Sequence, residues 1–225
     1  ISYDGEKKVL GAWHGSTENY EVCKDLFQEL ISRGLDPLTV KLAVLDGSKA
    51  LSKAVRNVFG NRTLVQRCQI HKIRNVQSYL PESMQESVGL AMRQAYKAND
   101  YDTAKRLLLN LECSLRKTHE GAARSLAEGM EETLTLLRFK ASKSLQKSLA
   151  STNIIENLNG TIKHICKRVK HWRGSDMIMR WVYTGIFEAE KKFRRINGHT
   201  GLKTLIAMID SEFEKKSIDK EERTA

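Results

Sequence analysis

The segment Val40-Lys41-Leu42-Ala43-Val44-Leu45 is apolar at every position but one and stops at Asp46-Gly47. A strand this uniformly apolar has both faces to cover, as in a parallel strand with helices on either side. The flanking segments fit such a frame. Tyr3-Asp4-Gly5-Glu6 is a tight-turn signal, and a strand is expected over residues 8–14. Ser16-Thr17-Glu18-Asn19 caps a helix in which Val22, Leu26, Leu30 and Ile31 recur at helical spacing up to Gly34. After Gly47, Ser48 can cap a second helix with Leu51, Val55 and Phe59 on its inner stripe. Thr63-Leu64-Val65 reads as a short third strand leading into Gln66-Arg67-Cys68-Gln69-Ile70-His71. Strands alternating with helices define an α/β class.

The remainder reads as helix. Residues 84–98, 102–116 and 120–139 are expected helices, with a break at Asn99-Asp100, and this block carries both charge signs in similar numbers. It has the character of a self-contained insertion. Two strongly basic helices follow, over 153–169 and 175–195, then a shorter one over 202–213 and a charged, frayed tail. The organisation expected is a core begun in residues 1–80, an all-helical insertion over 81–150, a return of the core over 151–199, and a C-terminal helix and tail over 200–225.

Composition narrows the partners. The 225 residues carry a net charge of +11 with a pI near 9.5. Nucleic acid is the first expectation and an anionic membrane surface the second. No apolar run approaches the roughly 18 residues of a membrane span, and there is no signal peptide. The 4 cysteines are scattered rather than set in a disulfide framework, which fits a reducing, cytoplasmic compartment. The chain opens on Ile1, inside an expected strand, and is expected to be part of something longer.

Two carboxylates carry the chemistry. Asp46 closes a buried strand, where side chains leave the core and can offer oxygens to a metal; it could equally start the Asp-Gly turn and cap the next helix. Glu156 lies, at roughly 100° per residue, opposite an apolar stripe of Ile154, Ile155, Leu158, Ile162, Ile165 and Val169 and on the face of Lys163, Lys167 and Lys170. A solvated salt-bridge face is the bland alternative, but the residues one turn on are Asn159 and Gly160, not lysines. Gly160 costs about 1 kcal/mol of helix stability relative to alanine and leaves room beside the carboxylate for a phosphodiester. Cys68-x-x-His71 is half a zinc site with no second half at suitable spacing, so a local role is expected, with His71 near the active site and Cys68 packed beneath it. Lys163, Lys167, Lys170 and Arg173 form a phosphate-binding segment, and Trp172 offers a stacking surface; Trp181 reads as core. Lys191-Lys192-Phe193-Arg194-Arg195 could extend the basic track. Two acids in cationic surroundings suit magnesium- or manganese-dependent phosphoryl transfer on nucleic acid.

Five stretches, in order along nearly the whole chain, carry a family resemblance: Leu10-Gly11-Ala12-Trp13-His14-Gly15-Ser16-Thr17-Glu18-Asn19, Val44-Leu45-Asp46-Gly47, residues 66–75, Thr152-Asn153-Ile154-Ile155-Glu156-Asn157-Leu158-Asn159-Gly160, and Lys170-His171-Trp172-Arg173. In these the chain resembles bacterial insertion-sequence transposases of the Mutator type. The resemblance implies a ribonuclease-H-like catalytic domain with a DDE triad, in which Asp46 would be the second acid and Glu156 the third, holding Mg2+ or Mn2+. It implies DNA partners, namely element ends and target, engaged through His71, Lys163, Lys167, Lys170, Trp172 and Arg173, in a homo-oligomer at the bacterial nucleoid. Cys68-x-x-His71 would be the family signature and residues 81–150 its helical insertion. The family's first catalytic Asp lies upstream of the turn at residues 3–6, and so does a helical region that recognises the element ends; Asp4 does not replace that acid. The expectation is therefore an incomplete sheet, with residues 40–45 at an unpaired edge, and a chain inactive by itself. Two other functions stay open: a non-catalytic DNA-binding remnant or regulator, and a nuclease recruiting a third acid such as Asp36 or Asp176.

Overall fold

The computed structural model describes residues 1–13 and 19–222. Two short strands, β1 (Leu42–Leu45) and β2 (Leu64–Arg67), pair in parallel, Leu42 opposite Leu64 and Leu45 opposite Arg67. Ahead of them stands α1 (Tyr20–Ser32), whose first turn is capped by Asn19 Oδ1 accepting from Val22 N at 3.0 Å; the expected caps at residues 16–18 fall outside the described residues. Helix α2 (Lys49–Phe59) makes the crossover between the strands and starts where Ser48 Oγ accepts from Leu51 N at 3.2 Å.

The uniformly apolar strand is covered on both faces. Ala43, Leu45 and Val65 pack with Val55 and Phe59 of α2 and Phe27 of α1, where the two phenylalanine rings meet edge to face at 4.9 Å. Leu42, Val44 and Leu64 join the other cluster, built on Leu136, Phe139, Leu145, Leu205 and Ile209.

Helices α3 (Gln69–Gln77), α4 (Glu82–Tyr96), α5 (Tyr101–Arg116) and α6 (Glu120–Ala127) enclose a second core around Met92, Leu108 and Leu126. The single helix expected over 120–139 is instead three pieces: α6, α7 (Met130–Thr133) and α8 (Thr135–Arg138). Gly129, at φ +64°, breaks the first junction. Tertiary hydrogen bonds break the second. Buried Gln66 donates to Thr133 O at 3.0 Å and accepts from Leu136 N at 3.0 Å, while Thr135 Oγ1 donates to Val65 O at 2.6 Å. Backbone groups that a continuous helix would use internally are thus taken up by the Gln66 side chain, while the Thr135 hydroxyl meets a β2 carbonyl.

Helix α9 (Lys143–Leu149) leads to α10 (Asn153–Cys166), α11 (Gly174–Glu190) and α12 (Leu202–Glu222). Helix α12 runs well past the expected end at residue 213. Helices α10 and α11 approach closely at Gly185, where a Cβ would come within 2.9 Å of Ile162 Cα.

The strand expected over residues 8–14 is not present in the described part, 8–13; His14 lies outside it. The segment runs between α1 and α11, and side chains rather than a neighbouring strand satisfy its backbone. Val9 N donates to Glu190 Oε1 at 2.9 Å, Leu10 O accepts from Arg33 Nη2 at 2.8 Å, and Ala12 O accepts from Tyr183 Oη at 3.4 Å. The turn at residues 3–6 does form, with Ser2 N donating to Glu6 O at 2.9 Å and Gly5 at φ +82°. Among the described residues the architecture is helix-dominated, with twelve α-helices about a two-stranded parallel sheet.

Candidate metal and nucleic-acid site

Asp46 follows the last residue of β1. Its Oδ1 accepts from Ser48 N at 2.9 Å, so it does start the turn into α2; among the described residues Oδ2 carries no hydrogen bond. Gly47, at φ +109°, rests on Arg67: a Cβ there would lie 2.7 Å from Arg67 Nε. Arg67 is 6% exposed, donates from Nη1 to Glu128 O at 3.0 Å, and has a buried Nε with no hydrogen-bond partner. Fully buried Lys72 donates from Nζ to Ser125 O and Glu128 O, at the carboxyl end of α6. Burial, then the charge of Arg67, lowers the Lys72 pKa to about 8, against opposing pulls from Glu128 and Glu132. Burial pushes the Glu128 carboxyl up, but Arg67, Lys49 and Lys72 outweigh it and hold the group below its ordinary value. The Asp46 turn is thereby seated on Arg67, which together with Lys72 grips the helical insertion at Glu128.

Glu156 lies in the first turn of α10. It reaches the sheet through Cys68, the residue after β2. Cys68 N donates to Leu45 O at 2.6 Å, and its buried Sγ accepts from Thr152 N at 3.4 Å. Thr152 Oγ1 donates to Glu156 Oε1 at 2.9 Å and lies 3.3 Å from His71 Nδ1, which is itself 3.9 Å from Glu156 Oε1. Asp46 and Glu156 therefore stand at the same, carboxyl end of the sheet, joined through Leu45, Cys68 and Thr152. His71 is beside the glutamate and Cys68 beneath it. Sequence reasoning missed Thr152; the available signal was a hydroxyl four residues before the acid, one helical turn away.

The cationic residues fall differently from the expectation. Lys163 is on α10 and Lys167 is its C-cap, but the helix ends at Cys166, so Lys170, Trp172 and Arg173 sit in the connection to α11 rather than on a helix. All five are exposed, Trp172 at 43%. Ile154, Leu158, Ile162, Ile165 and Val169 are half-buried, whereas Ile155, 57% exposed, leaves the stripe because it lies about 100° from Ile154 on the helix flank. Around Gly160 a Cβ would meet nothing within 4 Å. Trp181 is half-buried.

No group of three or more His, Cys, Asp or Glu side chains able to hold a metal occurs among the described residues. Two carboxylates offering only hard oxygens still fit Mg2+, which is commonly held by one or two carboxylates with water and phosphate completing its octahedron. Asp36 cannot join them: it caps the 3-10 turn Pro37–Thr39, ahead of β1 and at the opposite end of the sheet. Asp176 lines an open concavity of about 630 Å³ on α11 with Arg180, Tyr183 and Phe187, to which neither Asp46 nor Glu156 contributes. No helix among the described residues is long and apolar enough to cross a membrane.

Residues 1–196 match the sequence model of the family described as "Transposase, Mutator family". The chain is 26% identical over 193 residues to the transposase for insertion sequence element ISRM3 of Rhizobium meliloti, covering 85% of this chain and 47% of that protein. It is 28% identical over 197 residues to the transposase for IS6120 of Mycolicibacterium smegmatis, covering 88% and 59%. It is 28% identical over 165 residues to the transposase for IS256 in transposon Tn4001 of Staphylococcus aureus, covering 72% and 41%. The chain spans about half the length of these relatives.

Proposed function

Because this chain belongs to the Mutator family of transposases, we propose that it carries two of the three acids of a DDE-type, ribonuclease-H-like transposition site, Asp46 and Glu156, with its DNA-binding surface. The parent reaction is hydrolysis of a phosphodiester at the end of an insertion element, followed by in-line attack of the freed 3′-hydroxyl on target DNA. Asp46 and Glu156 would hold Mg2+ or Mn2+, which would supply activation of the attacking water and neutralisation of charge at the phosphate. Lys163, Lys167, Lys170 and Arg173 neutralise backbone phosphates, Trp172 stacks on an unpaired base, and His71 orients DNA beside Glu156. The working enzyme is a homo-oligomer on DNA. With two carboxylates, the chain binds a cation but does not cleave.

The observation that supports this reading is that Asp46 and Glu156 both lie at the carboxyl end of the sheet, linked through the Leu45–Cys68–Thr152 contacts. The test is Mn2+ titration of the chain. Asp46→Asn and Glu156→Gln should each weaken binding about tenfold or more, because each removes a direct ligand. Unchanged affinity in either variant refutes the metal site. Salt-sensitive DNA binding persisting beside that result would favour a non-catalytic DNA-binding regulator. Magnesium-dependent nicking by the chain alone, lost on Asp46→Ala, would refute the predicted inactivity.

A further inference from the structure

Thr152 occupies the N-cap of α10, where a threonine hydroxyl ordinarily accepts from the N–H of the second or third helical residue. Here it makes no such cap, and the backbone, at φ −83° and ψ 13°, is outside the extended conformation capping residues usually adopt. The hydroxyl is turned instead to Glu156 Oε1, 2.9 Å away, with His71 Nδ1 at 3.3 Å. Leaving the cap unmade forgoes helix stability that a capping threonine ordinarily supplies. The backbone N–H of Thr152 is fixed separately on Cys68 Sγ at 3.4 Å, which locks the residue to the end of β2.

A hydroxyl carries one hydrogen. Of the acceptors within reach, the Glu156 carboxylate at 2.9 Å is nearer and charged where Cys68 Sγ at 3.5 Å is a weak acceptor, so the carboxylate takes that hydrogen and the contact with His71 has Nδ1–H donating to the Thr152 oxygen. The direction of the chain is therefore set: His71 Nδ1–H to Thr152 Oγ1, Thr152 Oγ1–H to Glu156 Oε1. In the neutral ring this leaves His71 Nε2 as the lone pair.

We infer that Thr152 is a positioning residue: through this relay it fixes the rotamer of Glu156 and the tautomer of His71, so that Glu156 Oε2 and His71 Nε2 are the atoms left for ligand. The positioning role rests on the proposal that Glu156 holds a metal. The relay itself does not.

The experiment uses the 225-residue chain and two readouts. The first is the ring 15N signature of His71 above about pH 8, where an imidazole is neutral. Wild type should report the Nδ1–H form, Thr152→Val should revert to the Nε2–H form that free imidazole favours, and Thr152→Ser should restore the wild-type signature. The second is Mn2+ affinity. Thr152→Val should weaken it about tenfold, the loss common when a residue supporting a ligand is removed, and Thr152→Ser should recover it. Thr152→Val is nearly isosteric, so a wild-type unfolding midpoint is expected to accompany both changes. An unaltered His71 signature in Thr152→Val overturns the relay. An altered signature with unaltered Mn2+ affinity, where Glu156→Gln does weaken binding, overturns the positioning role. If Glu156→Gln leaves Mn2+ binding intact, the metal site fails and the positioning role falls with it.

Discussion

Lys72 shows how one buried charge ties the titration of this protein to its architecture. Its pKa falls to about 8 from an ordinary 10.5, chiefly through burial. Between those values the folded chain has released a proton that the unfolded chain keeps, so the unfolded state binds more protons and stability rises with pH. Below about 8 both states hold the proton and the full cost of burying the charge remains. Tyr96, raised by burial to about 12 from 10.0, acts in the opposite sense at higher pH, because there the unfolded phenol ionises first. Denaturant midpoints should therefore climb from about pH 8 towards 10 and then fall as Tyr96 takes over, and Lys72→Met should flatten the climb. Residues in this region were unevenly legible. Asp46, His71 and Glu156 could be picked out because their types and spacing carry chemistry. Lys72 looked like any surface lysine, although it stands four residues before buried Val76 and shares its helix face. What reverses its exposure is the carboxyl end of α6, which the local sequence does not display.

At the scale of elements, two glycines near the candidate site predict opposite outcomes. Gly160→Ala meets open space within α10 and should stabilise the chain by up to about 1 kcal/mol. Gly185→Ala drives a methyl against the Ile162 backbone and should cost about 1–3 kcal/mol by forcing α10 from α11. Chemical denaturation of the two variants checks both signs, and equal shifts would contradict the packing described. Elements with self-contained signals were readable. Helix α5 begins where Asp100 Oδ1 accepts from Thr103 N at 2.8 Å, as a polar residue before an amphipathic run suggests. Strand β1 was marked by its apolar run. Elements decided by distant partners were not readable: α7 and α8 are cut from one helical pattern by Gln66 and Thr135, and residues 8–13 carry a strand pattern without strand pairing. Neither partner is visible within a short window of sequence.

For the whole molecule the governing quantity is the charge of +11. Binding to duplex DNA should weaken steeply with salt, and replacing Lys163, Lys167, Lys170 and Arg173 together by alanine should reduce the log–log slope by about 3.6, since each lost phosphate contact removes about 0.9. An unchanged slope would move the DNA surface elsewhere, for instance to Lys191–Arg195. The division of the sequence into an α/β beginning and a helical remainder was legible. The way the two parts share hydrogen bonds was not, because the partners of β2 come from 70 positions further along. That sharing also orders events in time. While the chain is being synthesised, Gln66 Nε2 can reach only Arg67 O and its Oε1 has no mate until Leu136 emerges, so packing this side chain away earlier would bury an unsatisfied carbonyl. The nascent amino-terminal part is thus held open, its folding deferred until most of the insertion has left the ribosome.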